Sequence, residues 1–219
     1  MVMFATAAHA INIKHLTMPA FPNLNTSKDL ARLKQLLSSA MEKSGAKPRA
    51  RSGESMQLLN LACGRADETE VLADVFGDKA ESIHLTGIDI RMREIGEAKE
   101  RWKNLPAQAS ADFLVQDASR LAELKQLGHQ FDIAFMRHQN FWNGDLTWTK
   151  IYDEALHRLD DDGLLVITSY FDREHRLALD AIQALGAELV CSERNDDSRI
   201  ITDAPNKSVD RHIAIFRKP

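Results

Sequence analysis

Apolar residues recur at helical spacing once near the start of the chain and fall into short runs afterwards. Thr26, Ser27 and Asp29 supply helix start signals, and Leu30, Leu33, Leu36 and Leu37 succeed them as one apolar stripe up to about Met41. Residues 44–54, with Gly45, Pro48 and Gly53, have turn-forming composition and separate that helix from the rest of the chain. From Gln57 onward, short apolar runs alternate with amphipathic segments, the pattern of βα units around a mainly parallel sheet. Strands are expected at 58–62, 83–88, 112–115, 131–136 and 164–169, and helices at 69–75, 93–102, 119–127, 146–158 and 173–185. Two further strands, 188–191 and 212–216, close the chain. Only residues 195–208 join them, which leaves no room for a crossover helix, so the last strand is expected to run antiparallel to its neighbours. No internal repeat and no low-complexity tract interrupts this order.

Composition narrows the picture. A chain of 219 residues, 44% of them hydrophobic, suits one domain with its own core. Lys and Arg total 28 against 32 Asp and Glu, a net charge of -4 that provides no broad cationic field, so no nucleic-acid partner is expected. The basic stretch Lys43, Lys47, Arg49 and Arg51 reads as a solvated linker. Cys63 and Cys191 form neither a disulfide framework nor a zinc ligand set, which fits a reducing cytoplasm. Residues 2–11 are mildly apolar but lack a basic n-region and are short for a signal-peptide core. No apolar run approaches the roughly 20 residues that span a bilayer, so a soluble protein without a membrane partner is expected. Two parts are expected: a helical lid and linker at 1–53, and a ligand-binding domain at 54–219.

Open α/β sheets bind ligands at the carboxyl ends of their strands, near the point where strand order reverses. The first strand leads into Asn60-Leu61-Ala62-Cys63-Gly64-Arg65-Ala66-Asp67-Glu68-Thr69. Small residues at 62, 64 and 66 let a ligand approach the backbone closely. Asp67, Glu68 and Glu70 sit where a diphosphate would meet the next helix, and carboxylates there repel it. A ligand carrying a sulfonium and an ammonium suits such surroundings; alternatively these acids only stabilise the first helical turn. Asp89 ends the second strand, placed to accept from two ribose hydroxyls or to cap the next helix. Ile90 packs either against an adenine face or into the core. After the third strand, in Gln116-Asp117-Ala118, Asp117 either accepts from an exocyclic amine or caps the helix near Ser119.

The series Asn60 to Ala66, Gly87-Ile88-Asp89 and Gln116-Asp117-Ala118 resembles the successive cofactor motifs of class I S-adenosylmethionine-dependent methyltransferases, over roughly 57–218. The resemblance implies an α/β, Rossmann-like three-layer sandwich whose seven-stranded, mainly parallel sheet ends in an antiparallel strand. It implies S-adenosylmethionine as cofactor, with Ala62, Cys63 and Gly64 against the methionine moiety, Asp89 on the ribose, and Ile90, Asp117 and Ala118 around the adenine. Asn60 stands where the family usually has an acid, and Ala62 and Ala66 replace glycines, which is tolerable where the dihedrals are ordinary.

In that family the end of the fourth strand faces the reactive methyl. Here it runs Arg137-His138-Gln139-Asn140-Phe141-Trp142-Asn143, with Arg137 on the cofactor side and Asn140 and Trp142 on the acceptor side. Tyr170 and His175, after the fifth strand, are expected at the same cavity, whereas Trp148 and Tyr152, four apart on a helix, fit the core better. His138 is the favoured general base, since an unperturbed imidazole titrates near pH ~6.5. No His-Glu-x-x-His spacing or acidic trio is present, so no metal is expected. The favoured activity is methyl transfer to a small-molecule acceptor. Its competitors are the same fold acting on a protein or RNA, a cofactor-binding regulatory protein without catalysis, and a nicotinamide-dependent oxidoreductase, which the acids at 67–70 and the reversed last strand disfavour. Oligomeric state is not legible.

Overall fold

A computed structural model describes residues 26–48, 55–77, 80–125, 127–128 and 130–218. The opening segment 2–11, the first 25 residues of the expected lid, and Arg49, Arg51 and Gly53 lie outside the described residues. The element order is α1 (Thr26–Ser44), β1 (Met56–Leu61), α2 (Thr69–Gly77), β2 (Ile83–Asp89), α3 (Met92–Arg101), β3 (Ala109–Val115), β4 (Phe131–Arg137), α4 (Asp145–Arg158), β5 (Leu159–Ser169), α5 (Asp172–Ala184), β6 (Glu188–Arg194) and β7 (His212–Arg217).

The strands form one seven-stranded sheet in the order β3-β2-β1-β4-β5-β7-β6. β1 to β5 pair in parallel, and β7 runs antiparallel to both β5 and β6. This is the Rossmann-like class I arrangement. Strand order reverses between β1 and β4, which places the ligand-binding crevice at their carboxyl ends.

Alternate residues of the central strands face opposite layers, and both layers are covered, which is why these strands read as near-continuous apolar runs. Leu58, Leu85, Phe135 and Ile215 pack under α1 and α2, while Leu59, Met136, Ile167 and Phe216 pack under α4 and α5. The helix expected as a lid is built into the first of these layers. Leu33, Leu37 and Ala40 of α1 are fully buried against Val71, Leu72 and Phe76 of α2 and against Ile213 and Ile215 of β7. Each buried leucine stabilises the contact by about 1.5–3 kcal/mol, so residues 26–44 belong to the core of the sheet domain.

One expected helix takes a different form. In place of an α-helix at 119–127 there is a kinked 3-10 helix, Ala118–Glu123, with Arg120 off helical dihedrals. Arg158 braces this segment: its buried guanidinium donates to the carbonyls of Leu121, Leu127 and Gly128 at 2.5, 2.8 and 3.1 Å. The Leu121 carbonyl is the acceptor that the amide of residue 125 would need in a continuing α-helix. No described helix is long and apolar enough to cross a membrane.

Candidate functional site

The turn from β1 to α2 is strained. Ala62, Gly64 and Ala66 have φ of 53, 56 and 50°, all in the left-handed region. The two alanines therefore lack the ordinary dihedrals that their side chains favour, at a cost of about 1 kcal/mol or more each relative to glycine. The surroundings enforce it. Cys63 N donates to Ile88 O, Ala66 N to Cys63 O, and the carbonyl of Ala66 accepts from Thr69 Oγ1 and from the Trp102 indole, both at 2.8 Å. Backbone strain held in this way marks functional turns.

The strain brings Gly64 to Asp89, on the same rim of the sheet. Gly64 N donates to Asp89 Oδ2 at 2.8 Å, and the carboxylate is only 4% exposed. Arg91 supplies three more donors: its backbone N at 2.9 Å, Nε at 3.0 Å and Nη2 at 3.2 Å. Burial alone would raise the Asp89 pKa, but the hydrogen bonds from Arg91 and Gly64 outweigh it and hold the carboxyl below its ordinary value.

Beneath the turn lies a buried polar network. Asn60 Nδ2 donates to Glu68 Oε1 at 2.7 Å, so a carboxylate from the head of α2 stands against the strand position where the family usually has its acid. Burial raises the Glu68 pKa, against the pull of Arg137, whose Nη1 lies 3.9 Å from Oε2. Arg137 donates Nε and Nη2 to Asp210 at 3.0 and 2.6 Å. Asp210 Oδ1 also accepts from Thr168 Oγ1 and lies 2.8 Å from His138 Nε2. Burial opposes both charges, yet Arg137 and His138 keep the Asp210 pKa well below, and Asp210 keeps the Arg137 pKa well above, its usual range. For His138 burial wins over Asp210 and lowers the pKa, so the ring is neutral at pH 7. Its ring stacks on Tyr170, centroids 3.8 Å apart, and burial pushes the Tyr170 phenol up to about 12.

These groups enclose a cavity of about 330 Å³. Among the expected residues, Ala62, Cys63, Gly64, Arg137, His138 and Tyr170 line it. Asn60 is buried below it, and Asp89 reaches it through Gly64 and Arg91. Ile90 is 67% exposed on the outer rim, not in the core. Asp117 caps the 3-10 helix by accepting from Ser119 N and Oγ on one oxygen, and Ala118 is buried behind it.

Besides Ile90, Asp117 and Ala118, which do not line the cavity, three residues expected on the acceptor side are not brought to it. His138 has φ 60°, which turns the chain away, and a 3-10 helix at Phe141–Asn143 then carries Trp142 outward. Trp142, 42% exposed, shares a separate groove with Phe171 and Arg173, and Asn140 is exposed. His175 is buried between Ser169 Oγ and Ser192 Oγ and stacks on His212. Trp148 packs on Tyr152, which is fully buried in the core. Conversely, Asp29, Arg91, Ile201 and Val209 line the cavity although no motif marks them as site residues. Asp29 reads in the sequence only as a helix start signal; in the fold Arg199 grips it through Nε and Nη2, the shortest contact 2.6 Å, tying α1 to the β6–β7 connection.

Glu174, at the head of α5, links the loops after β4 and β5. It is 1% exposed, accepts from Phe141 N at 3.2 Å, and leaves Oε2 without a hydrogen-bond partner among the described residues. Burial raises its carboxyl to about 7, against the backbone N–H groups of Tyr170 and Phe141. A raised folded-state pKa means that this group's contribution to stability is complete below pH ~4.5 and lost as pH climbs through about 7. Glu174→Gln is therefore expected to raise stability at pH 8 by on the order of 2 kcal/mol and to change it little at pH 4.5, as read from urea unfolding at both values.

The site fits an adenosyl sulfonium ligand. Gly64 carries no side chain at the closest backbone approach, Asn60 Oδ1 is buried without a partner among the described residues, and the three arginines of the lining, Arg65, Arg91 and Arg137, are each paired with an aspartate, Asp67, Asp89 and Asp210. With those cations already paired and a buried acceptor left over, the pocket suits a sulfonium and an ammonium better than a diphosphate. Comparison with known proteins agrees. A family model described as "Methyltransferase domain" matches residues 52–206. A search of curated protein sequences finds no match. A TehB-like SAM-dependent methyltransferase from Corynebacterium glutamicum superposes with a TM-score of 0.53 at 16% identity, over 88% of this chain and 97% of its own. A S-adenosylmethionine-dependent methyltransferase from Clostridium acetobutylicum gives 0.60 at 9% identity, over 86% and 91%. The [4+2]-cyclase SpnF gives 0.60 at 18%, over 85% and 80%. At these identities the solved structures speak for the fold alone, and the match of the family model over most of the chain carries the assignment. The chain belongs to the class I S-adenosylmethionine-dependent methyltransferase family.

Proposed function

We propose that this enzyme methylates a small-molecule acceptor held beside His138. The observation that carries the reading is the lining of the cavity: His138, Tyr170, Ile201 and Val209 share one pocket of about 330 Å³ with the turn at Ala62 to Gly64, a size that suits small molecules. S-adenosylmethionine, when bound, supplies a methyl group on a sulfonium that is already a good leaving group. The protein's work is then alignment and, for an acceptor that must lose a proton, a base. Asp89 takes the ribose, Ala62 to Gly64 the methionine moiety, and Ile90, Asp117 and Ala118 the adenine side.

His138 is suited to hold the acceptor's proton. Its Nε2 is 2.8 Å from the ionised Asp210 and 3.1 Å from the Asp210 backbone N. The Asp210 N–H donates to Nε2 while Oδ1 stands beside the same nitrogen, so Asp210 fixes the ring through its main chain and its carboxylate together, as a buried aspartate orients a catalytic histidine. The depressed pKa keeps the ring neutral at pH 7, able to take up a proton.

Incubation with methyl-labelled cofactor and a cell extract, then separation by size, tests the acceptor class. Label in the small-molecule fraction is expected; label confined to protein or RNA would overturn the reading. With the acceptor identified, His138→Ala is expected to lower turnover about 10²-fold while cofactor affinity stays within about twofold, and wild-type turnover in the variant rules out the base.

A further inference from the structure

We infer that Arg91 is a built-in competitor for the cofactor: its guanidinium occupies the Asp89 carboxylate that the ribose needs, and must be released before the ligand can seat. The inference rests on Asp89 being the residue that holds the ribose.

A carboxylate has about four acceptor positions. At Asp89 all four are engaged, one by Gly64 N and three by Arg91, two of these from the guanidinium. Two ribose hydroxyls cannot be added to a full set; they replace the two guanidinium bonds. The overlap is also spatial. Arg91 Nη2 lies 2.9 Å from the point where a Cβ on Gly64 would stand, so the guanidinium lies over the bare backbone of the turn.

Release is feasible from the same geometry. The Arg91 side chain is 56% exposed, whereas Asp89 is buried, so the mobile partner is the arginine. Glu94, one turn into α3, has Oε1 3.6 Å from Arg91 Nη1 and offers the displaced cation a carboxylate outside the turn. The backbone N of Arg91, like that of Gly64, stays on Asp89 and keeps the carboxylate aimed. Arg91 thereby sets cofactor affinity with a sign opposite to that of a ligand-holding residue: its removal tightens binding.

Calorimetric titration with S-adenosylhomocysteine tests this. That probe carries no net charge at pH 7, so loss of one cation from the site does not by itself favour it. Arg91→Ala is expected to bind about fivefold more tightly than the unaltered protein, the size of an exposed ion pair no longer competing. Arg91→Lys, which keeps the charge but loses the fork, is expected to fall between the two. Equal or weaker binding by Arg91→Ala overturns the competitor role and leaves the cofactor site standing. Absence of binding by all three proteins overturns the ribose assignment itself.

Discussion

Asp210→Ala is expected to destabilise the protein by about 3–5 kcal/mol, the cost of leaving a buried charge without its partner. Arg137 has a side chain only 14% exposed and gives both prongs of its guanidinium to Asp210; the next carboxylate, on Glu68, lies at 3.9 Å. Asp210 also accepts from Thr168 Oγ1 and contacts His138 Nε2, so its loss unpins the ends of β4, β5 and β7 together. Because Asp210 has φ 48°, alanine adds backbone strain. Asp210→Asn, which tolerates that conformation and retains an acceptor, separates the two contributions and should cost less than alanine. Adding Arg137→Met to Asp210→Asn should restore part of the loss, since the orphaned charge goes with it. Urea unfolding of the four proteins reads these differences. A loss below about 1 kcal/mol in Asp210→Ala would mean that Arg137 is solvated and the network is not closed.

That network shows where the sequence stops being legible. The strands are readable because each buried run is local and apolar on both faces, and the reversed last strand is implied by the short connection before it. The meeting of Gly64 and Asp89 is readable because they follow and end neighbouring strands, and pairing of Asn60 with Gly87 fixes them in register. Asp210 is not readable. It lies in a connection with no periodicity, and its partner Arg137 is 73 positions away. The 3-10 helix at Ala118–Glu123 is hidden for the same reason, since Arg158 takes the Leu121 carbonyl from a distant helix. Adjacency misleads at His138 to Trp142: one left-handed residue sends consecutive side chains to different cavities. At the first turn, alanine composition argues for ordinary dihedrals at Ala62 and Ala66, but ties to Ile88, Thr69 and Trp102 override that preference. The missing acid at position 60 is answered by Glu68, eight residues on, where a helix head returns a carboxylate to the same spot.

The central claim is that Asp89 carries the cofactor's ribose. Two hydrogen bonds from hydroxyls to a charged, buried acceptor are worth about 1.5–3 kcal/mol each, and release of Arg91 offsets only a small part. Asp89→Ala should therefore weaken binding by about 10²-fold or more. Calorimetric titration of the unaltered protein and of Asp89→Ala with S-adenosylhomocysteine, and of the unaltered protein with NAD, measures this directly. Binding of S-adenosylhomocysteine, none of NAD, and a loss of that size in the variant is the predicted result; undiminished affinity in Asp89→Ala, or NAD held as tightly as S-adenosylhomocysteine, would contradict it.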